Sequence, residues 1–227
     1  MSTGRRAVIE RVADDVVSRN GLGHPLRVGI DGRSAAGKTT FADELATTLE
    51  ARGVSVLRAS IDDFHPKGYK FRSRQDDWTP ELCLGEGFDY AAFRRLVLEP
   101  LGPGGSRLCR LKVLNAGTDE AYPEEWTESP PGAIAVCDAA FAFVPELADA
   151  WDLTVWLDVS LEAMFARAEE RDVAWTGSRE AVRERYEAVW MPTHLLYERL
   201  YSSRERADWV IDNEEFDQPR VRRPLQE

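Results

Sequence analysis

The chain has 227 residues, 43% of them hydrophobic and 10% aromatic, enough apolar surface to offset chain entropy, which excludes a globally disordered polypeptide. Forty acidic against 29 basic side chains give a formal charge of -11, which argues against a nucleic-acid duplex or an anionic membrane surface as partner. The three cysteines, Cys83, Cys109 and Cys137, are odd in number and lack C-x-x-C spacing, so neither a disulfide framework nor a zinc site is expected.

The first residues, "MSTGRRAVIERVADD", contain acids and no apolar segment of signal-peptide type, and no stretch approaches a membrane span. The expectation is a soluble, cytoplasmic protein. Val8, Ile9, Val12, Val16 and Val17 fall at helical spacing, which predicts an amphipathic helix over Arg5 to Arg19, stopped by "NGLGHP". "LRVGID" is a short strand, and Phe41, Leu45 and Leu49 predict a helix from Lys38 to Arg52. "VSVLRAS", "AIAVCDA", "LTVWLDV" and "DWVID" are further strands alternating with helices, the signature of an α/β fold with a mostly parallel sheet.

Between the second and third strands lies an insertion, Phe64 to Pro131, with a helix around "YAAFRRLVLEPL" and a β-ribbon around "RLCRLKVLN". An insertion of that length in a compact domain usually carries function. "LEAMFARAEER" and "REAVRERYEAVWMPTHLLYERL" are later helices joined by the polar segment "DVAWTGS", and the tail after Asn213 reads as frayed.

Gly32, Gly37, Lys38 and Thr39 fit G-x-x-x-x-G-K-[ST] between a strand and a helix, the context a phosphate-binding loop requires. Glycines let backbone N–H groups point inward around a phosphate chain, and the following helix adds its positive end. Lys38 would reach the outer phosphates and Thr39 would supply an oxygen to Mg²⁺. The plain alternative is a flexible strand-to-helix turn.

Ligands of open α/β sheets bind beyond the carboxyl ends of the strands, where this chain places Asp62 and Asp63, Asp138, and Asp31. Phosphoryl transfer to an alcohol needs a carboxylate to orient the hydroxyl and accept its proton; Asp62 is assigned that role, its alternative being a turn cap. Asp63 is grouped with the acceptor-binding residues. Asp138 would hold the Mg²⁺ shell or position the acceptor, or is a turn residue. Asp31 is read as structural. His65 would hydrogen-bond an acceptor hydroxyl, or is a solvated cap. Arg167 and Arg171 lie one helical turn apart, with Arg179 beyond; they read as a lid that meets developing phosphoryl charge, or as a solvated helix face.

These residues together resemble the uridine kinase and phosphoribulokinase group of P-loop kinases, over roughly Leu26 to Asn213. The resemblance rests on "GIDGRSAAGKTTFADELA", "IDDFH", "CDAAF", "WDLTVWLDVS" and "RAEERD…RERY…P…Y…RADWVIDN". It implies a P-loop NTPase fold in a single domain, core about 26–213, acceptor insertion about 64–131 and lid about 171–180. It implies ATP and Mg²⁺ as cofactors, bound by Gly32, Ser34, Ala35, Ala36, Gly37, Lys38, Thr39 and Thr40 with Arg167, and catalysis by Asp62, Lys38 and Arg171. It also implies acceptor contacts from His65 and Arg179, and a possible homo-oligomer. Two segments depart from the group: "DAAF" stands where Asp-Gly is usual, and "LNAGTD" where a Tyr-Asp or Phe-Asp precedes histidine. The expected activity is phosphorylation of a small-molecule hydroxyl, with a nucleoside as first acceptor. A sugar, a pantothenate-like acid or an antibiotic, or a nucleotide-binding switch without transfer, stay open.

Overall fold

Leu26–Gly32 is buried along its whole length, as an apolar run must be when helices cover both faces of a parallel sheet. The computed structural model describes residues 1–223, apart from the side chain of Trp175. Its first half runs α1 (Thr3–Arg19), β1 (Leu26–Gly32), α2 (Lys38–Ala51) and β2 (Val56–Ser60), followed by a 3₁₀ turn at Ile61–Phe64. The insertion carries α3 (Tyr69–Arg72), α4 (Pro80–Glu86) and α5 (Tyr90–Phe93), which widens into a π turn to Leu98. Short strands follow: β3 (Leu108–Cys109), β4 (Leu114–Asn115), β5 (Glu120–Ala121) and β6 (Thr127–Glu128). Then come β7 (Ile134–Asp138), β8 (Leu153–Asp158), α6 (Leu161–Thr176) and α7 (Arg179–Arg185), which passes through a π turn at Tyr186–Trp190 into α8 (Met191–Tyr201). α9 (Ser203–Arg206), β9 (Trp209–Asp212) and β10 (Arg220–Arg223) complete the described residues.

The main sheet has six strands in the order β10-β9-β8-β1-β7-β2, all parallel except β10. This is the α/β fold with a mostly parallel sheet expected from the strand pattern, and it agrees with the P-loop NTPase fold that the resemblance implies. The register sets Asp138 beside both Ile30 of β1 and Ser60 of β2, so the carboxyl ends of three strands meet at one rim. On one face, Val8, Ile9, Val12 and Val16 of α1 and Phe41, Leu45 and Leu49 of α2 pack on Val28, Ile30, Val136 and Val155. Their helical periodicity is what gives α1 and α2 an apolar stripe to bury. The other face holds Phe64, Phe93, Phe141, Trp156 and Tyr197. Gly29 is required there: a Cβ would stand 2.8 Å from the Trp151 ring.

Three local expectations need correction. α6 continues through most of "DVAWTGS" to Thr176 and stops only where Gly177 takes a left-handed φ of 95° and Ser178 caps α7. The ribbon is two separate pairs, β3 with β6 and β4 with β5. The tail after Asn213 is not frayed: β10 adds an antiparallel edge to β9. It is held by Arg5, a fully buried arginine of α1 whose Nη1 donates to Asn213 Oδ1 and to Phe216 O, both at 3.1 Å, and whose guanidinium lies 4.1 Å from the Phe216 ring centroid. Arg5 Nε also pairs with Glu44 of α2 at 2.6 Å.

A second buried charge joins β1 to the turn after β7. Asp31 is 1% exposed and accepts from the backbone N–H of Gly32 (2.7 Å), Phe141 (3.2 Å) and Ala142 (3.1 Å), and from the Tyr197 hydroxyl of α8 (2.5 Å). Tyr197 in turn accepts from the Phe143 N–H at 2.9 Å, so the "DAAF" turn is folded around one carboxylate. Burial pushes the Asp31 carboxyl up to about 6, against the pull of Tyr197, Lys38 and the two nearest amides.

Two outcomes follow for stability. Arg5→Met keeps the stem but leaves Glu44, Asn213 Oδ1 and the Phe216 carbonyl without their cation; urea unfolding is expected to show a loss of about 3 kcal/mol, and proteolysis after Asn213 should accelerate. For Asp31, the folded pKa lies above the unfolded one, so the folded state binds the extra proton. Stability is expected to rise as pH falls from about 7 to about 4, by up to about 3 kcal/mol. Asp31→Asn should lack this component, read from urea midpoints across that range.

Candidate active site

β1 delivers its last residue, Gly32, at φ 145°, with a Cβ position only 2.5 Å from the Leu157 carbonyl, so a side chain is excluded. Gly37 adopts φ 89° at the N-cap of α2, and a Cβ there would meet Asn213 Nδ2 at 3.3 Å. Between them Ala35 also takes a left-handed φ of 56°. The chain therefore curls around the N-terminus of α2, and the first amides of that helix have no intrahelical acceptor to satisfy them. Two loop amides are already engaged: Ser34 N–H donates to His194 Nε2 at 2.9 Å and Ala36 N–H to the Arg33 carbonyl at 3.1 Å.

Lys38 folds over this loop, donating to the carbonyls of Gly32 (2.9 Å) and Arg33 (3.0 Å). Burial pushes its pKa down, and Asp31, Asp62 and Asp138 oppose that shift. Thr39 donates its hydroxyl to Asp138 Oδ2 at 2.7 Å, and Ser60 donates to the same oxygen at 3.1 Å. Arg58 Nη1 lies 2.7 Å from Asp138 Oδ1, an ion pair without hydrogen-bond alignment. Asp138 is thus the buried junction between the glycine loop and the end of β2.

Asp62, on the 3₁₀ turn, is exposed and lines the cleft; its N–H donates to Ser60 Oγ at 3.3 Å. Asp63 does not join it, because the turn directs its side chain to Tyr122 of the insertion, where burial raises its pKa. His65 is buried between Tyr69 and Phe88, with ring centroids 3.9 and 4.5 Å away. Its Nδ1 is 2.5 Å from the Gly87 carbonyl, an acceptor only, so Nδ1 carries the proton and Nε2 is left to accept. Burial holds the ring below its ordinary pKa, against the charge of Asp62.

α6 brings Arg167 and Arg171 to the opposite wall. Arg167 Nη2 donates to the carbonyls of Asn213 (2.8 Å) and Glu214 (2.7 Å). Arg171 forms a two-pronged pair with Asp172 (2.7 and 3.0 Å) and donates to the Tyr186 hydroxyl at 3.1 Å. Arg179 is exposed at the start of α7 and does not line the cleft.

The resulting cleft of about 840 Å³ opens between the glycine loop, the 3₁₀ turn, the insertion and α6 to α8. That volume lies in the upper part of the range for small-molecule sites. It brings together Ser34, Ala35, Gly37, Lys38, Thr39, Thr40, Asp62, His65, Arg167 and Arg171. Sequence reasoning missed Tyr69, Phe88, Phe141, Arg185, Tyr186 and His194, which also line it. The spacing of His194, Tyr197 and Glu198, on one face of α8, was the available signal for the last of these. Among the described residues no helix is long and apolar enough to cross a membrane.

Residues 27–213 match the model of the Phosphoribulokinase / Uridine kinase family. The uridine kinase of Deinococcus deserti is 27% identical over 208 residues, covering 86% of this chain and 91% of that protein. Uridine-cytidine kinase A of Dictyostelium discoideum is 27% identical over 178 residues, 78% of this chain, and the chain spans only 34% of that longer relative. In structure, a possible uridine kinase from Bacillus stearothermophilus aligns with TM-score 0.69 at 17% identity, over 90% of this chain and 97% of that one. D-glycerate 3-kinase from Cryptococcus neoformans aligns with TM-score 0.55 at 15% identity, over 86% and 88%. Both structures share the fold. With the family match extending over most of its length and the glycine loop, strand-end acids and helix arginines around one cleft, the chain belongs to the phosphoribulokinase/uridine kinase family of ATP-dependent P-loop kinases.

Proposed function

We propose that the protein transfers the terminal phosphoryl group of ATP to a hydroxyl of a nucleoside, with uridine and cytidine the first acceptors to test. The observation that carries this reading is the exposed carboxylate of Asp62 in the same cleft as Lys38, Arg167 and Arg171. A nucleotide-binding switch has no use for a carboxylate facing an acceptor-sized space.

The amides at the N-terminus of α2 would bind the phosphate chain together with Lys38, which would exchange its loop carbonyls for phosphate oxygens. Thr39 Oγ1 and Asp138 Oδ2 are the hard oxygen donors that would hold Mg²⁺, directly or through water. Held there, the ion would offset the negative charge of the phosphate chain. Among the described residues no group of three or more His, Cys, Asp or Glu side chains forms a metal cage, which suits a cation that keeps much of its water. Asp62 would accept the acceptor's proton as the new oxygen–phosphorus bond forms and the bond to ADP breaks. Arg171, held in orientation by Asp172 and Tyr186, would face the charge on the transferring group, with Arg167 beside the phosphates. His65 Nε2 would accept from the acceptor, and the insertion, residues 64–131, would enclose it. Asp63 and Arg179 fall outside this site. The three buried free cysteines fit a cytoplasmic setting.

Asp62→Asn is expected to lower kcat by roughly 10²–10⁴-fold while calorimetry shows ATP binding unchanged. ADP release measured against a panel of nucleosides and sugars names the acceptor. Full activity in the variant, or ADP release with water alone, would overturn the assignment.

A further inference from the structure

His194 is 1% exposed, on the face of α8 turned to the glycine loop. Its Nε2 lies 2.9 Å from the Ser34 amide nitrogen and 3.0 Å from Ser34 Oγ. A backbone N–H can only donate, so Nε2 bears a lone pair and the neutral ring carries its proton on Nδ1. Nδ1 is buried and has no hydrogen-bond partner among the described residues. Lys38 and Arg33 add to burial in keeping the ring uncharged. The Phe141 ring packs beside it, centroids 5.2 Å apart.

A phenyl ring would fill the same space without stranding a buried donor, so the advantage of imidazole here resides in Nε2. The same helix face supplies two neighbours at the next positions. Tyr197 donates to Asp31, and Glu198 takes the Arg33 guanidinium at 2.8 and 2.7 Å. Three side chains of α8 therefore hold Asp31 near the end of β1 and Arg33 and Ser34 in the first half of the loop. The second half is held differently, by α2 itself, whose Phe41 N–H already bonds the Gly37 carbonyl at 2.9 Å.

We propose that His194 is a positioning residue for phosphoryl transfer, its unprotonated Nε2 fixing the amide and hydroxyl of Ser34 in the glycine loop. This rests on the kinase reading above. Because Lys38 and the α2 amides grip the nucleotide without it, His194 governs the alignment of the reacting ends and not the affinity for ATP.

The test combines kinetics and nitrogen-15 NMR on the full chain. His194→Phe is expected to reduce kcat roughly tenfold or more, with KM for ATP and the thermal midpoint unchanged, and His194→Gln, whose amide oxygen can accept from Ser34, to recover part of the loss. In the wild-type protein the imidazole should show a protonated Nδ1 and a bare Nε2, and the Ser34 amide resonance should shift in His194→Phe. An unchanged kcat in His194→Phe, a loss confined to KM for ATP, or a His194→Gln variant no better than phenylalanine would overturn the proposal. So would a protonated Nε2 in the wild-type protein, or a Ser34 resonance that stays in place, and these two readouts hold even if no acceptor is phosphorylated. Absence of transfer by the wild-type protein to every acceptor tested would refute the kinase reading instead.

Discussion

A carboxylate with no access to water organises the active end of this protein. Asp31 gathers three backbone amides and a tyrosine hydroxyl, and through them joins the end of β1, the turn after β7 and the middle of α8. Burying that charge opposes folding, as its raised pKa shows, and the donors around it offset the penalty by satisfying its oxygens. What the arrangement provides is placement. Phe141 is held at φ 63°, a conformation that a phenylalanine adopts only when its surroundings dictate it, and its ring becomes part of the cleft wall.

From that anchor the rest of the site follows by strand register. Parallel pairing of β1, β7 and β2 sets Asp138 level with Ser60, and Thr39 at the start of α2 reaches the same carboxylate. Burial pushes the Lys38 ammonium down from its ordinary pKa, and the negative charges of Asp31, Asp62 and Asp138 oppose that shift. The cationic wall on α6 faces this group across the cleft. A protein of formal charge -11 thus concentrates positive side chains where phosphate would enter.

Features written in short stretches could be read before folding was considered. The glycine loop, its strand and its helix occupy consecutive residues, and alternation of apolar runs with helical spacing was enough for the parallel sheet. Strand-end acids were partly readable: Asp62 lines the cleft, while its neighbour Asp63 is turned to Tyr122, because one step along a 3₁₀ turn redirects a side chain by about a third of a turn. Arg179 does not line the cleft, and the polar stretch before it does not interrupt the helix, since α6 persists to Thr176. The contact between Ser34 and His194 spans 160 positions, and Arg5 meets the tail across 208. Nothing in local periodicity could announce either, since both depend on which faces the completed sheet brings together.

The antiparallel strand at the end of the described chain has a consequence for solubility. Without it, β9 would present a bare row of amides and carbonyls to any other extended polypeptide. β10 covers that row, and its own outward side is poorly suited to templating a further strand. Its sequence is Arg-Val-Arg-Arg, its register slips between Val221 and Arg223, and Arg222 and Arg223 are tied back to Asp212 and to the carbonyls of Arg204 and Glu205. Charge and a bulge together make this border an inhospitable one for runaway cross-strand aggregation.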